Sequence, residues 1–286
     1  MSGSTLPGGA KVAVVFQFVF EQWGGTHVEP GRHTAPQLPL SAIKDGVPDL
    51  VSLSWQDYAG RAGMYRLMDT ARKHGVVATG LFNGLAVERY PDVAREFARD
   101  NEIAAHSWSE DVRCHDMSDD DLRADVRKTR SVIEDTTGYR PVGWCSSGYQ
   151  GAANTVKIVA EEGFDYIVER VDDERPALLD TGGVGRHRKL VGIAPSFDVN
   201  DHQLYARGHN APSAYIETFT RNLDVLLSEP AERLPMLTTA VFHATLFGHP
   251  MGAWALRECI RKAQATPGVL ITTHRECAAH CLEAWS

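Results

Sequence analysis

Residues 11–20 read KVAVVFQFVF, and the rest of the chain is best read outward from this stretch. Val12, Val14, Val15, Phe16 and Phe18 are β-branched or aromatic, and the run is short and continuous, as a fully buried strand should be. Gly24 and Gly25 end it. Downstream, strand and helix patterns alternate. Residues 63–74 have helical spacing, with Met64, Leu67, Met68 and Ala71 on one face and Gly75 as a stop. Further strands are expected at 76–82, 102–106, 142–145, 166–168, 190–193, 236–242 and 269–272. Further helices are expected at 87–99, 154–162, 212–227, 252–265 and 274–284, with a long one to about Thr136 that starts at Ser118 in a capping-box-like pattern. Residues 27–49, 171–189 and 203–212 read as irregular loops. The alternation predicts a parallel α/β fold, and about seven strands with long excursions fit a barrel better than an open sheet. One domain over residues 1–286 is the simplest organisation.

Composition narrows the function. The chain has 286 residues, with 29 Lys+Arg against 37 Asp+Glu and a net charge of −8. That balance argues against a non-specific nucleic-acid binder, which needs clustered cations. No apolar run reaches the ~18 residues of a spanning helix, since Gln17 interrupts the longest candidate. Residues 1–10 show no basic region followed by an apolar stretch, so no secretory signal is expected. The odd set Cys114, Cys145, Cys259, Cys277 and Cys281 reads as free thiols in a reducing compartment, which points to the cytoplasm. Cys277, His280 and Cys281 fall close enough for a metal site, although small thiols packed under a terminal helix explain them as well. Phosphate-binding, dinucleotide, nucleophile-elbow and His-Glu-x-x-His patterns are absent. A small-molecule substrate, with neither nucleic acid nor membrane as partner, is therefore expected.

In α/β folds the chemistry gathers at the carboxyl ends of the strands. The residues that follow the expected strands are unusually polar: Glu21, Gln22 and Trp23; Asn83; His106, Trp108, Glu110 and Asp111; Trp144, Ser146 and Ser147; Asn200, Asp201 and His202; His243 and His249. Each alone has a plain structural reading, and the set carries the information. His115, His187, His202, His209 and His274 read as surface or loop residues. Cys145 has no identifiable base beside it and does not read as a nucleophile.

Several segments share an order and spacing with a known family. They are Trp55 to Gly63 ahead of a helix, Ala78-Thr79, Glu88 to Pro91, Glu102 to His106, Thr137 to Pro141, Gly143-Trp144 and Glu162 to Tyr166. Together they resemble the polysaccharide-deacetylase superfamily (carbohydrate esterase family 4), above all its allantoinase and cyclic-imide hydrolase branch, over roughly residues 11–284. The resemblance implies a distorted (β/α)7-type barrel, hydrolysis of a non-peptide C–N bond and a homo-oligomer. The bonds concerned are a cyclic amide, imide or ureide, or the acyl link of a small amine. Metal-dependent members carry an Asp after the first strand and His-x-x-x-His after the third. Here Glu21 and His106 match, and Glu110 stands where the second His would be.

Glu, His and Glu can hold a divalent metal such as zinc, so a metal and no cofactor both stay open. With a metal, Glu21, His106 and Glu110 would be its ligands. Without one, Glu21 or Glu110 becomes the base, and His106 and His243 the acid or orienting groups. Tyr58 and Arg61 would bind a substrate carbonyl or carboxylate, although a structural ion pair suits Arg61 as well. Trp23, Trp108 and Trp144 would wall a pocket, with Asn83, Asp201 and His249 as further contacts. The altered third position also suits another reading, a catalytically inactive relative that binds a small ligand or a partner protein.

Overall fold

The computed structural model describes residues 6–24 and 49–284. At its centre is β1 (Val12–Phe20), buried along its whole length. It pairs in parallel with β8 (Met236–His243) on one side. On the other side β9 (Val269–Thr272) takes its first half and β2 (Thr79–Phe82) its second. Beyond β2 follow β3 (Glu102–Ala105), β4 (Gly143–Trp144), β5 (Tyr166–Ile167) and β7 (Lys189–Gly192), all parallel, and then β6 (Ala177–Asp180). The sheet curls into a distorted, incompletely closed (β/α) barrel. A single bridge from Asn200 to Val241 of β8 lies at its open side.

Alternation along β1 divides the interior in two. Val12, Val14, Phe16, Phe18 and Phe20 point outward and pack against the helices. Ala13, Val15 and Val19 point into the barrel, where Leu81, Ala104, Tyr166, Val191 and Val241 meet them. Gln17 shares this inward face and is fully buried. The helices are α1 (Leu50–Tyr58), α2 (Met64–Lys73), α3 (Gly84–Arg89), α4 (Pro91–Ala98), α5 (Asp119–Thr137), α6 (Thr155–Glu161), α7 (Pro212–Leu227), α8 (Pro250–Ala265) and α9 (His274–Ala284). Ser118 caps α5 by accepting from the Asp121 N–H at 3.2 Å. No helix among the described residues is long and apolar enough to cross a membrane.

Four elements differ from the sequence reading, among them the loop expected at 203–212, most of whose first half is the π-turn His202–Arg207. The helix expected from residue 63 begins at Leu50, capped by Asp49, and runs through a wide π-turn at Ala59–Gly63 into α2. Gly60 and Gly63 hide it from a propensity reading, yet both are needed for close packing. A Cβ at Gly60 would lie 2.4 Å from the Tyr90 ring, and one at Gly63 would lie 2.1 Å from the Ala244 carbonyl oxygen. The helix expected at 87–99 is two helices, because Pro91 starts the second. The loop expected at 171–189 contains β6, the antiparallel edge strand, whose half-exposed residues show no alternation to find. The loop expected at 27–49 falls, but for Asp49, outside the described residues.

The amino-end floor of the barrel is closed by a cluster of buried polar groups around Glu102. Glu102 accepts from Tyr166 Oη at 2.5 Å, Thr79 Oγ1 at 2.7 Å and the Arg275 N–H at 3.0 Å. His274, read from sequence as a surface or loop residue, is fully buried here, with Nε2 3.0 Å from Thr239 Oγ1. Burial drives its pKa down to about 3, so the ring is neutral. Cys277, His280 and Cys281 line a small cavity at this end. Among the described residues they are not part of a metal-ligand cluster.

Gly143 is critical to this floor. A Cβ there would lie 1.9 Å from the Tyr166 ring, which the bond to Glu102 holds in place. Gly143→Ala is therefore expected to cost about 3 kcal/mol or more in denaturant unfolding, at the high end for overpacking. A loss below about 1 kcal/mol would show that the ring can move aside.

Candidate active site

The carboxyl ends of the strands open into a cavity of about 900 Å³. Strand register brings its central groups together. His243 ends β8 opposite Val19, so Glu21, two residues beyond Val19, lies beside it. His106 directly follows β3, and its N–H donates to the Phe82 carbonyl at 2.9 Å. His106 Nε2 lies 3.3 Å from Glu21 Oε1 and 3.4 Å from Glu110 Oε2. His243 Nε2 lies 3.9 Å from the same Glu21 oxygen. On its far side, His243 Nδ1 is 2.6 Å from Oδ1 of the fully buried Asp201, whose Oδ2 accepts the His243 backbone N–H at 2.8 Å.

The loop carrying Glu110 is pinned from three directions. The Glu110 N–H donates to the Gln22 carbonyl at 2.9 Å. Its carbonyl accepts from Ser147 Oγ at 2.8 Å. The Trp108 N–H donates to Asp125 Oδ1 at 3.1 Å. Asn83 links the strand ends below, accepting from the Gln22 N–H at 2.9 Å and donating to the His106 carbonyl.

Burial and charge split the carboxylates. Burial opposes ionisation of Glu21, but His243 and His106 outweigh it and hold the pKa below the usual value. For Glu110, burial and then the Glu21 charge raise the pKa. Burial opposes the His243 cation, yet Asp201 and Glu21 raise its pKa to about 9. Around His106, burial is outweighed by the carboxylates of Glu110 and Glu21, which hold its pKa well above the imidazole value. The Cys145 thiol is pushed up to about 12 by burial and stays protonated.

This donor set fits a divalent cation. His106 Nδ1 is 2.9 Å from the Cys145 carbonyl, which can only accept, so Nδ1 carries the hydrogen and a neutral ring turns its Nε2 lone pair to the two carboxylates. Glu110 Oε2 is buried without a hydrogen-bond partner. The three ligand atoms lie within 4.8 Å of one another, the one such cluster found among the described residues. A cation, or a proton on Nε2, relieves this crowding of negative atoms.

Asp125 gives a stability test of the loop. Its Oδ2 is buried without a hydrogen-bond partner, and burial raises its pKa from 3.8 to about 6. A raised folded-state pKa adds stability below about pH 4 that is lost as pH rises through about 6. Asp125→Asn removes this dependence. Relative to wild type, the variant should gain about 2–3 kcal/mol between pH 4 and pH 8 in denaturant titrations. A gap that does not change with pH would contradict the burial of this charge.

Glu21, His106, Glu110 and His243 all reach the cavity. Of the residues expected to contact substrate, only Trp23 does, with Trp55 beside it at 5.7 Å between rings. Asp201 and Asn83 lie behind the site as orienting groups. Trp144 is fully buried in the outer core, its ring edge on Phe164, because it points to the helix side of the sheet. Trp108 packs under Lys128, 3.2 Å from its ammonium. Tyr58 stacks on His249 at 3.8 Å and bonds Arg66, so both rings are committed to packing away from the cavity. Arg61 is exposed and lies 3.8 Å from Asp57, the structural pairing.

Tyr149, Glu169, His202 and Arg207 line the cavity and were missed as site residues. His115, also read as surface, lies at the mouth. Glu169 had a usable signal, since it closely follows β5. Tyr149 had none: its ring reaches the cavity because its backbone is left-handed, with φ 59°.

Comparisons with known proteins agree with this architecture. The polysaccharide deacetylase family matches residues 44–167. A Schizosaccharomyces pombe protein provisionally described as a polysaccharide deacetylase is 24% identical over 311 residues, covering 98% of this chain and 92% of the relative. The crystal structure of PuuE allantoinase superposes with a TM-score of 0.83 at 24% identity, covering 96% of this chain and 91% of that one. A Mycobacterium smegmatis structure, also provisionally described as a polysaccharide deacetylase, gives a TM-score of 0.82 at 24% identity, covering 100% and 94%.

Proposed function

We propose that this chain, which carries a polysaccharide deacetylase domain, is a hydrolase of non-peptide C–N bonds in small molecules. Its substrate would be a cyclic amide, imide or ureide, or an acylated small amine. The observation that carries this reading is the meeting of two units in one cavity: the Glu21–His106–Glu110 cluster and the Asp201-held His243. The allantoinase among the structures of this fold supports ring opening as the first reaction to test.

Hydrolysis needs a base for water, stabilisation of the carbonyl oxygen and an acid for the departing nitrogen. A carboxylate of the Glu21–Glu110 pair takes the proton of water as the oxygen adds to the carbonyl carbon. The opposite shifts of these two carboxyls suit Glu21, the more ionised, to that task. The C–N bond then breaks, and the nitrogen takes a proton from His243 Nε2. A pKa near 9 keeps His243 protonated at neutral pH, and Asp201 holds its orientation. In the alternative to this carboxylate base, Glu21, His106 and Glu110 would hold a divalent cation, which when bound would supply Lewis acidity and lower the pKa of water. Trp23 and Trp55 offer an apolar wall to a planar ring.

A panel of hydantoins, cyclic imides, lactams and N-acetylated amines, followed by proton NMR with the purified protein, tests the proposal. At least one class should open or lose its acyl group. Binding of panel members without turnover of any would favour an inactive relative.

A further inference from the structure

The cavity is charged in layers. Its carboxylates Glu21, Glu110 and Glu169 lie in the interior, buried or nearly so. The two arginines that line it, Arg113 and Arg207, are both exposed at the mouth. Arg113 is already engaged, 2.8 Å from Asp116. Arg207 has no hydrogen-bond or ion-pair partner among the described residues. It stands at the end of the π-turn His202–Arg207, which starts directly after Asp201. The turn that presents this guanidinium is thus joined to the residue that orients His243.

The guanidinium at the mouth, unpaired among the described residues, attracts an anion that stays outside the interior where the reacting groups stand. We infer that Arg207 is an anion-recognition subsite, and that the substrate is a small amide, imide or ureide bearing a carboxylate. The carboxylate rests on Arg207 while the scissile carbonyl reaches the interior. Guanidinium suits this task because its fork matches a carboxylate in bidentate geometry. His202 and Gln203 on the same turn line the cavity between the two ends. The inference rests on the proposed function for the identity of the inner end, but not for the existence of the outer one.

The test uses a matched pair, hydantoin-5-acetate and hydantoin-5-acetamide, with the full-length protein. The acid should have a kcat/KM about tenfold to a hundredfold above the amide, carried by KM, as expected for one charge-assisted contact. Arg207→Gln should bring the acid-to-amide ratio to near one, and Arg207→Lys should retain part of it. Arg113→Gln should move the ratio less than about threefold. Added salt should shrink the preference, because the contact is exposed.

A second readout separates this inference from hydrolysis itself. Binding of the same two compounds can be followed by tryptophan fluorescence, through Trp23 and Trp55. Arg207-dependent preference for the acid in binding, without turnover, would sustain the subsite and count against the hydrolase reading. Equal handling of acid and amide, or a preference unchanged in Arg207→Gln, would overturn the subsite.

Discussion

Asp201→Asn is expected to lower turnover by about 10²- to 10⁴-fold while leaving the protein folded. The carboxylate is fully buried and makes two contacts with one residue, the ring and the backbone N–H of His243. An asparagine offers one acceptor oxygen for these two donors. Its amide, turned to the ring, demands a lone pair on Nδ1 and so the wrong tautomer. The His243 pKa, held near 9 chiefly against burial by Asp201, should fall. The sign follows: His243 acts as an acid, so the basic limb of the kcat profile moves to lower pH in the variant. Rates measured from pH 6 to 10 decide it. An unshifted basic limb would remove His243 as the proton donor.

Glu110→Gln is expected to lower turnover by about 10³-fold and, in the presence of a chelator, to raise stability. Glu110 is buried near Glu21, and both burial and that neighbour raise its pKa. Stability linked to such a group is present below its unfolded pKa near 4.5 and lost as pH rises. The variant should therefore gain on wild type from pH 4 to pH 8 when cations are removed. A cation held by the three residues would reverse this for wild type, since binding stabilises the folded state. Elemental analysis of both proteins, purified without chelator, separates the two conditions. A variant as active as wild type would remove Glu110 from the machinery.

Much of the fold was legible because β1 is apolar on both faces and the helices end in ordinary signals. Helix α7 and strand β9 lie where periodicity placed them. The strand-end rule found Glu21, His106, Glu110 and His243, since position after a strand is a local property. What the rule lacks is direction. Trp144 and Trp23 both adjoin strand ends, yet one faces the helices and the other the cavity. Tyr149 and Arg207 depend on a left-handed residue and a π-turn, which composition does not reveal. His274 shows the converse, a polar residue taken from solvent by a partner, Thr239, 35 positions away.

The measurement that bears most directly on the hydrolytic centre compares wild type, Glu110→Gln and His243→Ala in one NMR assay of ring opening and deacylation. Wild type should turn over at least one substrate class, and both variants, folded by circular dichroism, should be slower by about 10²-fold or more. Turnover that survives unchanged in both variants, or a wild type that converts nothing it binds, would contradict a hydrolytic role for these residues.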